Sequence, residues 1–206
     1  MTPPSDNNSS CRYGLIGYPL GHSFSERYFA EKFAAEGIAG CGYAGYPIES
    51  IGLLPALIET QRLDGFNVTI PYKQQVLSLL DELDPEAAAV GAVNCVKVSW
   101  DRAASATRSG NACAAAGKPT KAVGYRLTGY NTDVYGFRLS LLEFIGERRP
   151  QALVLGTGGA AKAVEYVLLS LGIEYLLVSR TADRQAGKPP AAPITQRISY
   201  DEVTRE

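Results

Sequence analysis

The chain has 206 residues, of which 20 are basic and 21 acidic, giving a formal net charge of -1. This length suffices for one large domain or two small ones, each with its own hydrophobic core. Because the charges are balanced and form no long block of one sign, general attraction to nucleic acid or to an anionic membrane is excluded, and a small-molecule partner is favoured.

The cysteine pattern argues against a disulfide framework and against a metal site. Only one histidine accompanies four widely spaced cysteines, Cys11, Cys41, Cys95 and Cys113. Free thiols in a reducing cytoplasm are therefore expected. The first ten residues lack the features of a secretory signal and are interpreted as a loose tail, and no later segment has the roughly 18 apolar residues of a membrane span.

The first hundred residues alternate between predicted strands and helices. A buried strand, YGLIGY, is followed by turn residues and then by the helical run SERYFAEKFAAEG, which Gly37 closes. CGYAGYPI predicts a second strand and IGLLPALIETQRL a second helix. This alternation indicates an α/β fold with a mainly parallel sheet.

A third strand, GFNVTIP, is predicted to run into a helix with the sequence KQQVLSLLDEL, which Pro71 precedes. Lys73 then lies in the first helical turn, where the helix field and partial burial disfavour the ammonium form and suit the side chain to proton transfer. The alternative is an ordinary exposed lysine without a chemical role.

The amino-acid composition of the chain changes after GAVNCVKVSW. Residues 101–122 are small and polar and predict a flexible surface insertion without chemistry. Regular structure returns with LTGYNTD and a helix over residues 134–146, with Val134, Phe137, Leu141, Leu142 and Ile145 on one face. Asp133 heads this helix and is interpreted either as a functional carboxylate or as the helix N-cap. A domain boundary is expected near residue 148.

A glycine-rich turn lies between the apolar strand ALVL and the next predicted helix. Gly156, Gly158 and Ala161 fit the G-x-G-x-x-G/A pattern, and Gly159 and Ala160 complete the turn. Glycine lets backbone amides approach a pyrophosphate, which the N–H groups and dipole of the helix start favour. A turn that merely connects strand to helix is the alternative.

The residues after the following strand, EYLLV, favour NADP over NAD. An NAD site carries an acidic residue about 20 positions beyond the glycines. Here the chain instead has Ser179, Arg180, Thr181 and Arg184. Two guanidinium groups and two hydroxyls suit a 2′-phosphate, because arginine offers paired donors to phosphate oxygens. The alternative is that both arginines are solvated loop residues.

Six motifs together resemble the shikimate dehydrogenase family. GYPLGHSFS, GFNVTIPYK, GAVNC, GYNTD, GTGGAAKAV and VSRT occur in the order and approximate spacing of that family. The resemblance runs from about Tyr13 to the end of the chain. It implies a substrate-binding and catalytic α/β domain over residues 11–148, with the linking helix 134–146, and a partial NADP-binding Rossmann domain over residues 149–206.

The resemblance also implies an activity and a set of site residues. The expected reaction is the NADPH-dependent reduction of 3-dehydroshikimate to shikimate, on the route to chorismate and the aromatic amino acids, by a monomer or homodimer without a metal. Lys73 and Asp133 resemble the family's catalytic pair. Ser23 and Ser25 would bind the substrate carboxylate, assisted by Thr69 and Asn94.

The chain also departs from the family pattern. Phe24 and Glu26 stand where lysine and proline are frequent, and Ser179 replaces a common asparagine. Family members normally continue beyond the end of this chain with the rest of the nucleotide-binding domain, so a C-terminally truncated form is expected. Two alternatives remain open: a quinate/shikimate dehydrogenase, and an inactive remnant that binds substrate without turnover.

Overall fold

The computed structural model describes residues 11–21, 24–101, 124–179 and 195–203. By its contacts the chain divides into two units. The first comprises Met1–Leu83 with Val93–Tyr130, and the second comprises Asp84–Ala92 with Asn131–Glu206. The helix that follows Tyr130 therefore groups with the second unit, and this division differs from the boundary expected near residue 148. The predicted N-terminal tail and almost all of the predicted insertion lie outside the described residues.

Six strands form the sheet of the first unit. They are β1 Cys11–Gly17, β2 Cys41–Pro47, β3 Gly65–Val68, β4 Glu82–Leu83, β5 Cys95–Trp100 and β6 Tyr125–Tyr130, in the spatial order β2-β1-β3-β5-β6-β4. β1 runs parallel to β2 and β3, and β4 runs parallel to β6, whereas β5 pairs antiparallel with β3 and with β6. The expected mainly parallel sheet is thus confirmed for this unit, with β5 as the one strand among these six that runs in the opposite direction.

Helices and the sheet bury the core of the first unit. The helices are α1 Phe24–Ala35, α2 Leu54–Gln61 and two 3₁₀ helices, Ile51–Leu53 and Gln75–Leu79. Leu54 and Ile58 lie one turn apart on α2 and are fully buried, as are Ile16 of β1 and Val76 of the second 3₁₀ helix. Among the described residues, no helix combines the length and the apolar character needed to cross a bilayer.

The α-helix predicted over residues 73–83 is wrong. Residues 71–74 form a turn, which the second 3₁₀ helix and β4 follow. The backbone carbonyl of Lys73 accepts a hydrogen bond from Val93 N at 2.8 Å, and Asp81 N donates to Leu127 O at 2.9 Å. These tertiary bonds satisfy backbone groups that an α-helix would pair internally. Lys73 therefore lies in a turn before a short 3₁₀ helix and not in the first turn of an α-helix.

The second unit contains a three-stranded parallel sheet and four helices in its described part. These elements are α3 Pro85–Val90, α4 Thr132–Ile145, β7 Ala152–Leu155, α5 Gly159–Ser170, β8 Tyr175–Ser179, β9 Thr195–Ser199 and α6 Tyr200–Val203. The strands lie in the order β7-β8-β9 and are parallel throughout. The predicted succession of strand, glycine turn, helix and strand is present as β7, α5 and β8. Neither α3 nor β9 was predicted from the sequence.

Two apolar clusters hold the second unit together. Val90 and Ala92, from α3 and the residues after it, pack with Val134 of α4 and with Ala163 and Val167 of α5. A second cluster joins the end of α4 to the sheet and contains Ile145, Val154, Leu168, Tyr175 and Leu177.

The predicted apolar face of α4 is only partly buried. Val134 and Ile145 are buried and Phe137 and Leu141 pack against the clusters, but Leu142 is exposed, so its assignment to the buried face is wrong.

The second sheet has the character of an incomplete Rossmann fold. Leu153, Leu155 and Leu176 are exposed, and Leu153 pairs with Leu176 in register across β7 and β8. Parallel sheets are normally covered on both faces. The described strands therefore form part of a doubly wound α/β sheet, with one face still open.

Candidate active site

The described residues include five of the six predicted catalytic and substrate-binding residues. Ser25, Thr69, Lys73 and Asn94 belong to the first unit and Asp133 to the second. The convergence of Lys73 and Asp133 therefore stays a prediction. Ser23, Arg180, Thr181 and Arg184 lie outside the described residues, and their roles stay predictions too.

Thr69 lies where the strands β1 and β3 end. Its backbone N–H donates to Ile16 O at 2.9 Å, which extends the pairing of the two strands. A Cβ atom at Gly17 would lie 2.5 Å from Thr69 Cγ2 and 2.9 Å from Ile70 O, so only glycine permits this close approach. The carboxyl ends of parallel strands are where α/β proteins bind ligands.

The turn that carries Lys73 is fixed by its neighbours. Tyr72 is almost fully buried, and its hydroxyl donates to Ile48 O at 2.6 Å. Tyr72 N donates to Thr69 O at 2.9 Å, and Val93 N binds the carbonyl of Lys73 itself. The Lys73 backbone is therefore held on two sides, while the residue remains partly exposed.

Asn94 is buried between the strands that flank this turn. Its backbone N–H donates to Tyr130 O at 3.1 Å, and its carbonyl accepts from Val68 N at 2.9 Å. Only 9% of Asn94 is exposed. A buried carboxamide is held in a defined orientation, because its donors and acceptor must be satisfied.

Polar groups connect the neighbourhood of Ser25 to Asn94. Tyr43 Oη donates to Asn67 Oδ1 at 2.9 Å, Asn67 Nδ2 donates to the backbone oxygen of Asn94 at 3.2 Å, and the Ser25 side chain lies close enough to the Tyr43 phenol to lower its pKa. Two residues predicted to bind substrate are thus joined through two that were not predicted. We call Ser25, Tyr43, Asn67 and Asn94 the polar chain.

Burial dominates the electrostatics of Tyr43. It raises the pKa of this phenol to about 12, and the nearby Ser25 side chain opposes the shift. Burial also raises the pKa of the neighbouring Cys95 thiol. Both groups are therefore neutral near pH 7, and the polar chain acts through hydrogen bonds rather than through charge.

A cavity of about 680 Å³ adjoins the polar chain on the α1 side of the sheet. Tyr43, Asn67, Phe29 and Phe33 are among its lining residues, and its walls are mainly apolar. Thr69 and Lys73 do not line it. A hydroxylated ligand is therefore expected near the strand ends, where polar groups gather, rather than within the aromatic part of this cavity.

In the second unit, Asn131 and not Asp133 caps helix α4. Asn131 Oδ1 accepts from Asp133 N at 3.1 Å and from Val134 N at 3.4 Å, while Nδ2 donates to Ala92 O at 2.9 Å. The N-cap alternative for Asp133 is therefore wrong. Its carboxylate lies in the first turn of the helix, where a negative charge is favourable.

The glycine turn presents an open helix start. Gly156 has φ +102, a conformation that favours glycine, and its N–H donates to Val178 O at 2.8 Å. Gly158 is the N-cap of α5. Among the described residues, no atom lies within 4 Å of a Cβ built at either glycine. The turn therefore leaves room for a pyrophosphate beside the helix N-terminus. Ser179, at the end of β8, is 5% exposed.

Comparison with known proteins shows which proteins this chain is similar to. Residues 15–96 match the model of the shikimate dehydrogenase substrate binding domain. The shikimate dehydrogenase (NADP(+)) of Syntrophomonas wolfei is 39% identical over 165 residues, which cover 79% of this chain and 48% of that protein. The shikimate dehydrogenase (NADP(+)) of Carboxydothermus hydrogenoformans is 37% identical over 179 residues, which cover 83% of this chain and 53% of that protein. Over most of its length the chain is therefore similar to shikimate dehydrogenases. It spans about half the length of these curated relatives.

Solved structures of the shikimate dehydrogenase family share this fold. Shikimate dehydrogenase 1 from Peptoclostridium difficile superposes with a TM-score of 0.70 and 27% identity, covering 95% of this chain and 63% of that one. The shikimate 5-dehydrogenase of Thermus thermophilus, in complex with NADP(H) and shikimate, superposes with a TM-score of 0.61 and 31% sequence identity. The superposition covers 83% of this chain and 56% of that one. The predicted α/β fold with an incomplete Rossmann domain is confirmed.

The polar chain adds Tyr43 and Asn67 to the residues that the family motifs suggested. Asn67 stands inside the motif GFNVTIPYK, two residues before Thr69, so alternation along the strand places both on one face. Tyr43 lies in the predicted strand CGYAGYPI, where a tyrosine is a common residue. Only the pairing of β2 with β1 and of β1 with β3 brings it to Asn67.

Proposed function

We propose that this chain binds shikimate and 3-dehydroshikimate in its first unit and carries part of an NADP site in its second. The proposed reaction is the NADPH-dependent reduction of 3-dehydroshikimate to shikimate. The observation that carries this proposal is the polar chain beside Thr69 and the Lys73 turn, in a fold whose relatives are named for this reaction.

The polar groups suit a hydroxylated carboxylate ligand. Such a ligand presents many oxygen atoms, which hydroxyl and amide side chains can orient through hydrogen bonds. We assign the substrate carboxylate to Ser23 and Ser25, and the ring hydroxyls to Thr69 and Asn94. Because these groups are neutral, they fix the pose of the ligand and do not take part in the proton transfer.

Lys73 and Asp133 are proposed to carry out the proton transfer to the carbonyl oxygen. Reduction of a ketone forms a C–H bond and an O–H bond, and the oxygen must receive a proton as the carbonyl π bond breaks. Bound NADPH supplies the hydride. The Lys73 ammonium donates the proton to the carbonyl oxygen, and the Asp133 carboxylate orients the ammonium and the neighbouring ligand hydroxyl.

For the cofactor, the glycine turn of residues 156–161 is proposed to hold the pyrophosphate. Its open glycines and the N–H groups of α5 fit an anion. Ser179, Arg180, Thr181 and Arg184 are proposed to bind the 2′-phosphate and to favour NADP over NAD. Residues 11–148 would then hold the substrate and the catalytic pair, and residues 149–206 part of the cofactor.

The test measures turnover and binding separately on the same preparation. NADPH consumption is followed with 3-dehydroshikimate, NAD reduction with quinate, and shikimate binding by calorimetry. Turnover with 3-dehydroshikimate and NADPH is the expected result. Binding of shikimate without turnover would reduce the function to substrate binding, and turnover only with quinate and NAD would reassign the substrate. Absence of both binding and turnover would reject the proposal.

The role of Lys73 is tested by replacement with alanine. Lys73→Ala is expected to lower turnover by about 10²- to 10⁴-fold, as loss of a general acid does, with little change in shikimate affinity. Lys32→Ala, which removes a lysine paired with Glu36 on the surface of α1, is the matched control. Equal turnover for the two variants would contradict the role of Lys73.

A further inference from the structure

The phenol of Tyr43 occupies the centre of the polar chain. Its hydroxyl bonds to Asn67 on β3 and lies near Ser25 on α1. Its ring stacks on Phe29, with centroids 4.4 Å apart and an interplanar angle of 19°. Since the stacked ring cannot turn freely, the direction of the hydroxyl is set by packing.

The Asn67 carboxamide is held between this hydroxyl and the backbone carbonyl of Asn94. Asn67 Oδ1 accepts from Tyr43, and Nδ2 donates to Asn94 O. With its two ends exchanged, the amide oxygen would face the Asn94 carbonyl, which is repulsive, so this carbonyl sets the orientation and the phenol then bonds to Oδ1 and fixes the side chain in place. One Nδ2 hydrogen is used by Asn94 and the other remains to be offered to a ligand.

We propose that Tyr43 is a positioning residue for the substrate site. Its hydrogen bond to Oδ1 fixes the Asn67 side chain so that the amide nitrogen is a donor for ligand oxygens, and the site therefore prefers ligands rich in acceptor oxygens. This proposal rests on the proposed function for the identity of the ligand, but the orientation of Asn67 can be measured without any ligand.

The affinity test compares two tyrosine-to-phenylalanine variants of β2. Tyr43→Phe keeps the stacked ring and removes the hydroxyl, and it is expected to weaken shikimate binding about fivefold, the effect of one lost hydrogen bond. Tyr46→Phe is the matched control, since Tyr46 lies on the opposite face of the strand beside Gly14. Unchanged affinity in Tyr43→Phe would overturn the proposal.

A double-mutant cycle separates positioning from a purely structural role. If Tyr43 acts through Asn67, Tyr43→Phe costs clearly less affinity in an Asn67→Ala background than in the wild type. Thermal unfolding of Tyr43→Phe and Tyr46→Phe is measured in parallel. Equal losses of affinity in both backgrounds would show that Tyr43 does not act through Asn67.

A ligand-free measurement distinguishes failure of this proposal from failure of the proposed function. The side-chain NH₂ resonances of Asn67 are observed by NMR in the wild type and both variants. Tyr43→Phe is expected to shift them towards free-carboxamide values, whereas Tyr46→Phe leaves them in place. If the wild type fails to bind shikimate, the proposed function fails, and these resonances alone decide the positioning role: unchanged signals in Tyr43→Phe overturn it.

Discussion

Removal of the Asn131 side chain is expected to destabilise the second unit by about 2–4 kcal/mol. Its oxygen caps α4 through Asp133 N and Val134 N, and loss of a cap costs about 1 kcal/mol. Its nitrogen binds Ala92 O at 2.9 Å in a residue that is only 5% exposed. An unsatisfied buried carbonyl adds about 1–3 kcal/mol.

A second variant separates the two contributions. Asn131→Ser keeps an acceptor for the helix amides but loses the donor to Ala92, so it should recover about 1 kcal/mol relative to Asn131→Ala. Ser140→Ala, at an exposed position of the same helix, should change the free energy of unfolding by less than about 0.5 kcal/mol.

Urea unfolding gives the free energies, and hydrogen exchange of the Asp133 and Val134 amides reports on the cap itself. Both amides should exchange faster in Asn131→Ala than in Asn131→Ser. An Asn131→Ala protein as stable as Ser140→Ala would refute the reasoning. Equal stabilities for the alanine and serine variants would refute the partition between cap and donor.

Three further predictions concern the buried tyrosines and the glycines. Tyr72→Phe should cost about 1–3 kcal/mol in urea unfolding, because the buried carbonyl of Ile48 loses its donor; a negligible change would show that the carbonyl finds another partner. Gly156→Ala should destabilise the protein by about 1 kcal/mol or more, because Gly156 has a positive φ. Gly136→Ala should instead stabilise it by about 0.5–1 kcal/mol, because Gly136 lies inside α4 and no described atom would crowd the added Cβ. Changes in the free energy of unfolding with the same sign for both variants would contradict this. The pKa of Tyr43 in the folded protein is raised to about 12 from an ordinary value of 10.0. The contribution of this tyrosine to stability is therefore complete below about pH 10 and is lost as the pH rises towards about 12. If Tyr43→Phe has the same stability profile at alkaline pH as the wild type, that assignment is contradicted.

Elements with a strong local pattern were predicted correctly from the sequence. The strands β1 and β2, the helix α1 and the glycine turn before α5 each combine an apolar run with turn residues at its ends. Local chemistry therefore sufficed for them.

The errors lie where tertiary hydrogen bonds override local propensity. The segment after Pro71 has the composition of a helix, but Lys73 O and Asp81 N pair with residues that come later in the chain. Asn131 and Asp133 are both good N-cap residues, and only the burial of Asn131 against Ala92 O decides between them. Neither partner is visible in a local window.

The same limit applies to the candidate site. Motif matching indicated Ser25, Thr69 and Asn94, because they stand within recognisable runs. Motif matching did not indicate Tyr43, because its hydrogen bond to Asn67 depends on the order of the strands. β1 lies between β2 and β3, and the long side chain of Tyr43 spans the distance to Asn67. A sequence window contains no information on that order.

The chain passes between its two units at Leu83, at Ala92 and again at Tyr130. A single cut after Tyr130 therefore leaves the first unit whole but separates residues 84–92 from the rest of the second unit. A fragment that starts at Asn131 would lack Val90 and Ala92, which belong to the same apolar cluster, and would also lose the carbonyl that Asn131 binds. An isolated second unit would therefore have to contain residues 84–92 joined to residues 131–206 through a short glycine linker.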